Sequence, residues 1–448
     1  MSSMRLTDDA IRAALTLPAA VRAPAGLAEQ VHAAVAATPQ RRRSILGWAP
    51  SRPQRLVLRL LLVGLALLAL GAILLFVGSQ RPPPVPPTTS TYHGGPGRSG
   101  VMPGPGVTGV PRIEWHHQVK GPMGAWSPVV VDGTVFVADE GGYVTALDEP
   151  TGSQRWQQPV GAAINGGITV DSGLVIVGDD AGVVHALTVA DGHEAWRATA
   201  SAPVHSAAVV IDGVAWVGTT DGHLVALDVL TGRPYGDPIL TRGPVSRALA
   251  AAGGLVYVGS AGATPRDGGT LQAYDAATAT LRWAAPLEPG DTSTPSVADG
   301  LVFVTGGLDQ TATGAHDLYA FDAATGAAVW PPFRAPTGTT LLIGAVAGGR
   351  VFALGDDRTM YVVDAPTGRE IWRAAVGSTQ SSSAGIAGGS IYVTSDDRAI
   401  HAFDIAGRAP LGGGWPIAVP GVPGSPVIID GRILVGTSFG EVVSISGP

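Results

Sequence analysis

The sequence predicts an all-β fold, an eight-bladed β-propeller with an N-terminal single transmembrane helix. Three observations predict it. A unit of three strands and a turn repeats along most of the chain, a tryptophan recurs at one place in that unit, and one long apolar run precedes the first copy. The repeat outranks every local signal, because such a unit cannot bury its own face and must stack on its neighbours.

The apolar run is Leu56–Val77, with Arg59 as its one charge. At 1.5 Å per residue its 22 residues span roughly 33 Å, the thickness of a hydrocarbon core. Arg59 can snorkel to the interface. A cleaved signal peptide fits less well, because 55 residues precede the run and no A-x-A pattern follows it. Arg41, Arg42, Arg43, Arg52 and Arg55 flank it on the N-terminal side, and only Arg81 and Arg98 soon after the other end. The positive-inside rule then puts the N-terminus in the cytoplasm and the propeller outside, on a single-pass anchor in the cell membrane.

Residues 1–55 read as a short cytoplasmic, partly helical tail. Thr7 ahead of Asp8-Asp9 is an N-cap pattern, and Leu27, Val31 and Val35 share helical spacing. The tail is too short for its own core and basic enough to be drawn to anionic lipid. The sharper reading is a docking element for a cytoplasmic partner. Residues 78–111 read as a Pro/Gly-rich linker, stiff in RPPPVPP and flexible in HGGPGRSGVMPGPG.

Residues 112–448 read as the propeller. In the first copy, strand A is Val129–Val131, Asp132-Gly133 is a tight turn, strand B is Thr134–Ala138 and strand C is Tyr143–Leu147. The C strands end at Asp148, Thr188, Asp228, Asp275, Asp322, Asp364, Asp404 and Ser446, which gives eight copies. Strand D carries the tryptophan: Trp156, Trp196, Trp283, Trp330, Trp372 and Trp415, with Tyr235 near the vacant place in the third copy. The last copy has no D strand of its own. Trp115, in Arg112-Ile113-Glu114-Trp115, supplies one from the other end, and this closure removes an open sheet edge.

The segments Ala146–Trp156 and Ala320–Trp330 carry the pattern A-x-D-x-x-T-G-x-x-x-W. This is similar to the tryptophan-docking motif of quinoprotein-like (pyrroloquinoline-quinone-type) propeller repeats, over residues 112–448. The resemblance implies that each Trp packs between blades against a Thr-Gly segment. That family includes dehydrogenases that hold pyrroloquinoline quinone over calcium, and non-catalytic scaffolds such as an outer-membrane assembly lipoprotein. This chain resembles the second branch more. It lacks the vicinal cysteines of the alcohol-type dehydrogenases, and its single asparagine is Asn165. Pyrroloquinoline quinone and calcium are therefore not expected as cofactors, nor catalysis.

Composition narrows the function further. The absence of cysteine excludes disulfides, thiolate metal sites and cysteine nucleophiles. The part after residue 78 is acidic, which argues against nucleic acid as a partner. The acidic pairs Asp139-Glu140, Asp179-Asp180, Asp356-Asp357 and Asp396-Asp397 sit in B–C turns, where turn geometry explains them as well as a cation site does. His185 and His401 read as packed strand residues, and no Ser-His-Asp grouping stands out.

Two B–C loops are longer than the rest, Ser260–Thr270 and Gly306–Asp317, on adjacent blades and one face. With the neighbouring D–A loop they make Arg242, Arg247, Arg266, Asp267, Asp309 and His316 the candidate binding residues for a protein or cell-envelope partner. The stretch Leu240–Gly243 is similar to the partner-binding loop of the assembly lipoprotein. The sequence thus reads as an extracytoplasmic binding or scaffolding module, with a quinone-dependent oxidoreductase or a transmembrane sensor as alternatives. The anchor is tested by an alkaline wash. The chain should stay in the membrane fraction, and its release would contradict the assigned topology.

Overall fold

The computed structural model describes residues 89–448 apart from 263, 265, 266, 307–316, 337, 338, 378–381, 407 and 448. The expected tail, the expected transmembrane helix Leu56–Val77 and the start of the expected linker lie outside the described residues. Among the described residues no helix is long and apolar enough to cross a membrane.

Eight antiparallel sheets form the ring. Their A strands are Val129–Val131, Thr169–Asp171, Val209–Ile211, Ala250–Ala252, Ser296–Ala298, Leu341–Ala347, Gly385–Ala387 and Val427–Ile429, for blades 1 to 8. Successive A strands touch, so they line the axis. The B and C strands are nearly all buried, as in Leu174–Gly178, because both sheet faces pack on neighbouring blades. The D strands form the rim, where the pattern mixes exposed and half-buried residues, as in Gln154–Pro159. The Asp-Gly hairpins form as expected. At Asp132-Gly133 both residues take positive φ, 49° and 67°, the geometry whose twist matches the paired strands. The ring also closes as expected. Arg112–Gln118 pairs antiparallel with Glu441–Ser446, opposing His116 to Val443.

Docking tryptophans link five of the blades each to the next by an indole hydrogen bond. The indole N–H of Trp115 donates to Glu149 O, that of Trp156 to Val189 O and that of Trp196 to Val229 O, each at 3.0 Å. Trp283 reaches Ala323 O at 3.1 Å and Trp330 reaches Ala365 O at 2.9 Å. The ring face lies on the turn glycine. A Cβ at Gly152 would sit 2.5 Å from the Trp115 ring, and φ of +68° there disfavours other residues independently. In the vacant third place, the Tyr235 hydroxyl contacts Ala277 O at 3.5 Å.

The expected D strands need correction in three blades. In blade 3 only Ile239–Leu240 remains, after Pro234 and Pro238, and in blade 5 only Phe333–Arg334, after Pro331 and Pro332. In blade 7 the strand splits into Ala409–Pro410 and Ile417–Ala418. Trp330 and Trp415 therefore lie beside the outer strands and not on them. Proline cannot donate to a ladder, so it is confined to such edges. Trp415 packs against Tyr392 within its own blade, with ring centroids 5.5 Å apart. Trp372 packs beside Ile405, but its indole N–H is buried without a partner.

The larger correction concerns the linker. Residues 89–107 run as a strap across the axis, and their backbone meets the blades in order except blade 3, which the Arg98 side chain reaches. Thr89 pairs with Val130 of blade 1, and Ser90 O accepts from Val170 N of blade 2 at 2.7 Å. Arg98 donates to Ala208 O, just ahead of strand A of blade 3, at 2.6 Å. Pro96 O, Gly97 O and Ser99 O accept from Ala251, Val297 and Val346 of blades 4, 5 and 6 at 2.7–2.8 Å. Gly100 O and the Met102 amide bond Ile386 of blade 7, and Pro105 O accepts from Gly431 of blade 8. The inner strands expose unpaired backbone groups toward the axis, and buried backbone groups need partners. Glycine and proline suit the strap because it approaches other backbones closely. A Cβ at Gly100 would lie 2.6 Å from His93. Arg98, counted from sequence as a membrane-flanking charge, is fully buried in this strap.

The indole contacts predict an ordering of stabilities. Trp330→Ala should cost roughly 3–5 kcal/mol in urea unfolding. Trp330→Phe should cost about 1 kcal/mol through its lost hydrogen bond, while Trp372→Phe, which loses none, should be near neutral. Equal losses for the two Phe variants would contradict the docking geometry.

Candidate functional site

The B–C turns and D–A loops share one face of the ring, and three features occupy it. The first is the expected long B–C loop of blade 4 with the D–A loop before it; of its expected counterpart on blade 5, Gly306–Asp317, residues 307–316 lie outside the described residues. The long B–C loop of blade 4 packs onto the preceding D–A loop, with the Ala261 amide donating to Pro244 O at 3.0 Å and Gly243 lying directly against it. Part of this expected loop is strand, because Leu255–Ser260 and Gly268–Asp275 extend the blade's hairpin. Arg242 is exposed beside Leu240, whose side chain is 71% accessible. Asp267 turns inward on its own loop, accepting from the Thr264 amide and hydroxyl at 2.9 and 2.8 Å. Arg247 crosses to the next D–A loop and grips Asp291 through Nε and Nη2, at 3.2 and 2.8 Å. Arg266, Asp309 and His316 lie outside the described residues.

The second feature is the set of acidic pairs. In each pair one member closes its own turn. Asp139 and Asp179 accept from the Tyr143 and Val183 amides, and Asp357 and Asp397 from those of Thr359 and Ala399. The other member can tie down a neighbouring loop. Asp180 accepts from Asn165 at 2.8 and 3.0 Å and meets His205 at 2.9 Å, and Asp356 accepts from the Thr340 amide. Among the described residues no three His, Asp or Glu side chains are grouped to hold a metal ion. His185 is a packed strand residue, as expected, and lies between Asp179 at 3.1 Å and Glu194 at 2.8 Å.

One grouping was not legible in the sequence. Ser201, on a D–A loop, meets Asp221 and His223 of the next blade. It is no nucleophilic triad. The same His223 Nδ1 faces both Asp221 Oδ1, at 3.0 Å, and Ser201 Oγ, at 3.3 Å, so the nitrogen that would take the serine proton is engaged by the carboxylate. The Thr219 hydroxyl bond holds the Asp221 carboxyl down to about 2, helped by His223 and Ser201.

The third feature is a well of ≈ 70 Å³ on the axis, floored by Tyr92 and His93 of the strap. His93 Nε2 lies 2.7 Å from Gly344 O and 3.0 Å from Ala384 O, and burial pushes its pKa down. Tyr92 Oη meets Ser383 Oγ at 2.9 Å. The residues here do not fit a quinone on a metal. A pocket for a ligand of that size needs roughly 300 Å³ or more, and the strap fills the axis beneath the well.

A ring of tryptophan-docked blades, closed by an N-terminal outer strand, defines a quinoprotein-like repeat propeller. The chain belongs to the family described as outer membrane protein assembly factor BamB, whose profile matches residues 140–235, 237–344 and 314–447. No curated protein matches it in sequence. BamB from Moraxella catarrhalis is similar in structure, with 18% identity and a TM-score of 0.59 over 75% of this chain and 98% of that one. A europium-containing methanol dehydrogenase has 14% identity and a TM-score of 0.66 over 81% and 98%. The quinohemoprotein alcohol dehydrogenase from Comamonas testosteroni has 15% identity and a TM-score of 0.61 over 81% of each chain. At these identities the likeness is one of fold.

The turn carboxylates set an acid limit. Asp228, Asp275 and Asp322 are held below the usual range chiefly by the threonine hydroxyl three residues on, as Asp221 is by Thr219. Such depressed groups contribute stability above their unfolded value near 4, and lose it as pH falls through the folded value. Stability should therefore drop between about pH 4 and pH 2. Asp221→Asn should remove a part of that drop worth roughly 1 kcal/mol or less, because the side chain is screened by water. Urea titrations at pH 6 and pH 2.5 check this, and an unchanged drop in the variant would contradict it.

Proposed function

We propose that this chain is a membrane-anchored, extracytoplasmic binding module that holds an extended segment of a protein partner against blades 3 and 4. The observation that carries the reading is the junction at Leu240. Leu240 stands 71% exposed on a two-residue outer strand, beside the exposed Arg242 and just ahead of Gly243-Pro244, on which the next blade's loop packs. An apolar anchor next to a guanidinium suits a partner segment that pairs an apolar residue with a carboxylate. Membership of the assembly-factor family supports a protein partner. The run Leu56–Val77 supports the anchor, and the arginine imbalance around it supports an extracytoplasmic propeller. The axial well, at ≈ 70 Å³, is smaller than a quinone needs, which weighs against oxidoreductase chemistry at the axis.

The test is capture of envelope proteins by the full chain from detergent-solubilised membranes, with Leu240→Asp and Arg242→Ala compared with the unaltered chain. Each substitution is expected to reduce the captured partner at least tenfold, while folding stability changes by about 0.5 kcal/mol or less, as for other exposed positions. The arginine variant should also lose salt sensitivity. A partner held equally by both variants would place the binding surface elsewhere.

A further inference from the structure

The axial well has a charge environment that the partner surface does not explain. Arg98 is fully buried beneath it, and all three of its described hydrogen bonds go to backbone carbonyls. Nε donates to Leu249 O at 2.8 Å, Nη1 to Tyr92 O at 2.6 Å and Nη2 to Ala208 O at 2.6 Å. Among the described residues no carboxylate pairs with it. Burial lowers its pKa only to about 10, so the guanidinium stays charged at neutral pH. A buried charge with no counter-charge is costly, and carbonyl dipoles offset only part of that cost.

Tyr92 lines the well, and its ring centroid is 5.8 Å from the guanidinium carbon. No lining residue is acidic. Of the lining serines, Ser293 and Ser296 donate to Thr294 O and Arg98 O and Ser382 pairs with Thr394, while Ser383 meets only another hydroxyl, Tyr92 Oη, and Arg247 is among the lining residues. Arg247 gives Nε and Nη2 to Asp291, which leaves Nη1 unengaged by that carboxylate. Its side chain is 45% exposed, so the well is reached from solvent on that side. A volume of ≈ 70 Å³ holds about five waters, or one small anion and a water or two.

We propose that this well binds one small oxyanion of carboxylate or phosphate type, with the Ser383 hydroxyl and Arg247 Nη1 as donors and the buried Arg98 as its counter-charge. The site uses the strap as its floor and shares only Arg247 with the partner surface, so it stands whether or not that surface binds a protein.

The experiment titrates the purified full chain with sodium phosphate and, separately, sodium acetate by calorimetry and thermal unfolding, with sodium chloride holding ionic strength constant. Saturable binding and a matching rise in Tm are expected for at least one of the two anions, and which one saturates sets the class. Ser383→Ala and Arg247→Gln should each weaken that binding about tenfold. Arg98→Met should abolish it wherever that variant folds, and the other two variants decide the matter where it does not. Absence of saturation by either anion overturns the proposal. So does affinity unchanged in both Ser383→Ala and Arg247→Gln.

Discussion

Everything in this structure depends on how the axis of the ring is filled. Eight blades bring eight inner strands together around a channel, and each offers backbone groups that water cannot fully reach. The strap of residues 89–107 answers them one blade at a time, through Thr89, Ser90, Pro96, Gly97, Ser99, Gly100, Met102 and Pro105 and the Arg98 side chain. It adds an inner closure to the outer one made by Arg112–Gln118 on Glu441–Ser446. The two are continuous in sequence, so one stretch of chain secures the ring at its centre and at its rim.

The inner closure also shapes what the propeller can hold. With Tyr92 and His93 as its floor, the axial space is a small polar well, smaller than a quinone needs. The proposed partner surface lies instead on loops that break the regularity of the repeat. The outer strands make the same point. Where they run unbroken, as in Glu194–Thr199 and Glu370–Ala375, charged side chains mark the edge and discourage further strand pairing. Where proline interrupts them, as before Ile239–Leu240, apolar side chains reach solvent.

Much of the fold was legible because its signals are local. The Asp-Gly turns, the strand alternation and the Thr-Gly-to-Trp spacing each lie within about a dozen residues, and the closing strand followed from a missing one. The strap was misread because its partners are far away in sequence. HGGPGRSGVMPGPG has the composition of a flexible linker, and only the tertiary structure shows its carbonyls meeting Ala251, Val297 and Val346. Arg98 reads from sequence as a membrane-flanking charge for the same reason. In the candidate site, the loop residues Arg242 and Arg247 could be picked out by length irregularity. The contact of Arg247 could not, since Asp291 belongs to another loop, and the Ser201–Asp221–His223 grouping spans two blades.

Hydrogen exchange tests the central role of the strap most directly. The amides of Ala251, Val297 and Val346 donate to strap carbonyls. If the strap is an integral part of the fold, these amides should be protected as strongly as those of the buried B strands, such as Val256 and Val302. Exchange of the three at loop-like rates, with the B strands still protected, would contradict the account.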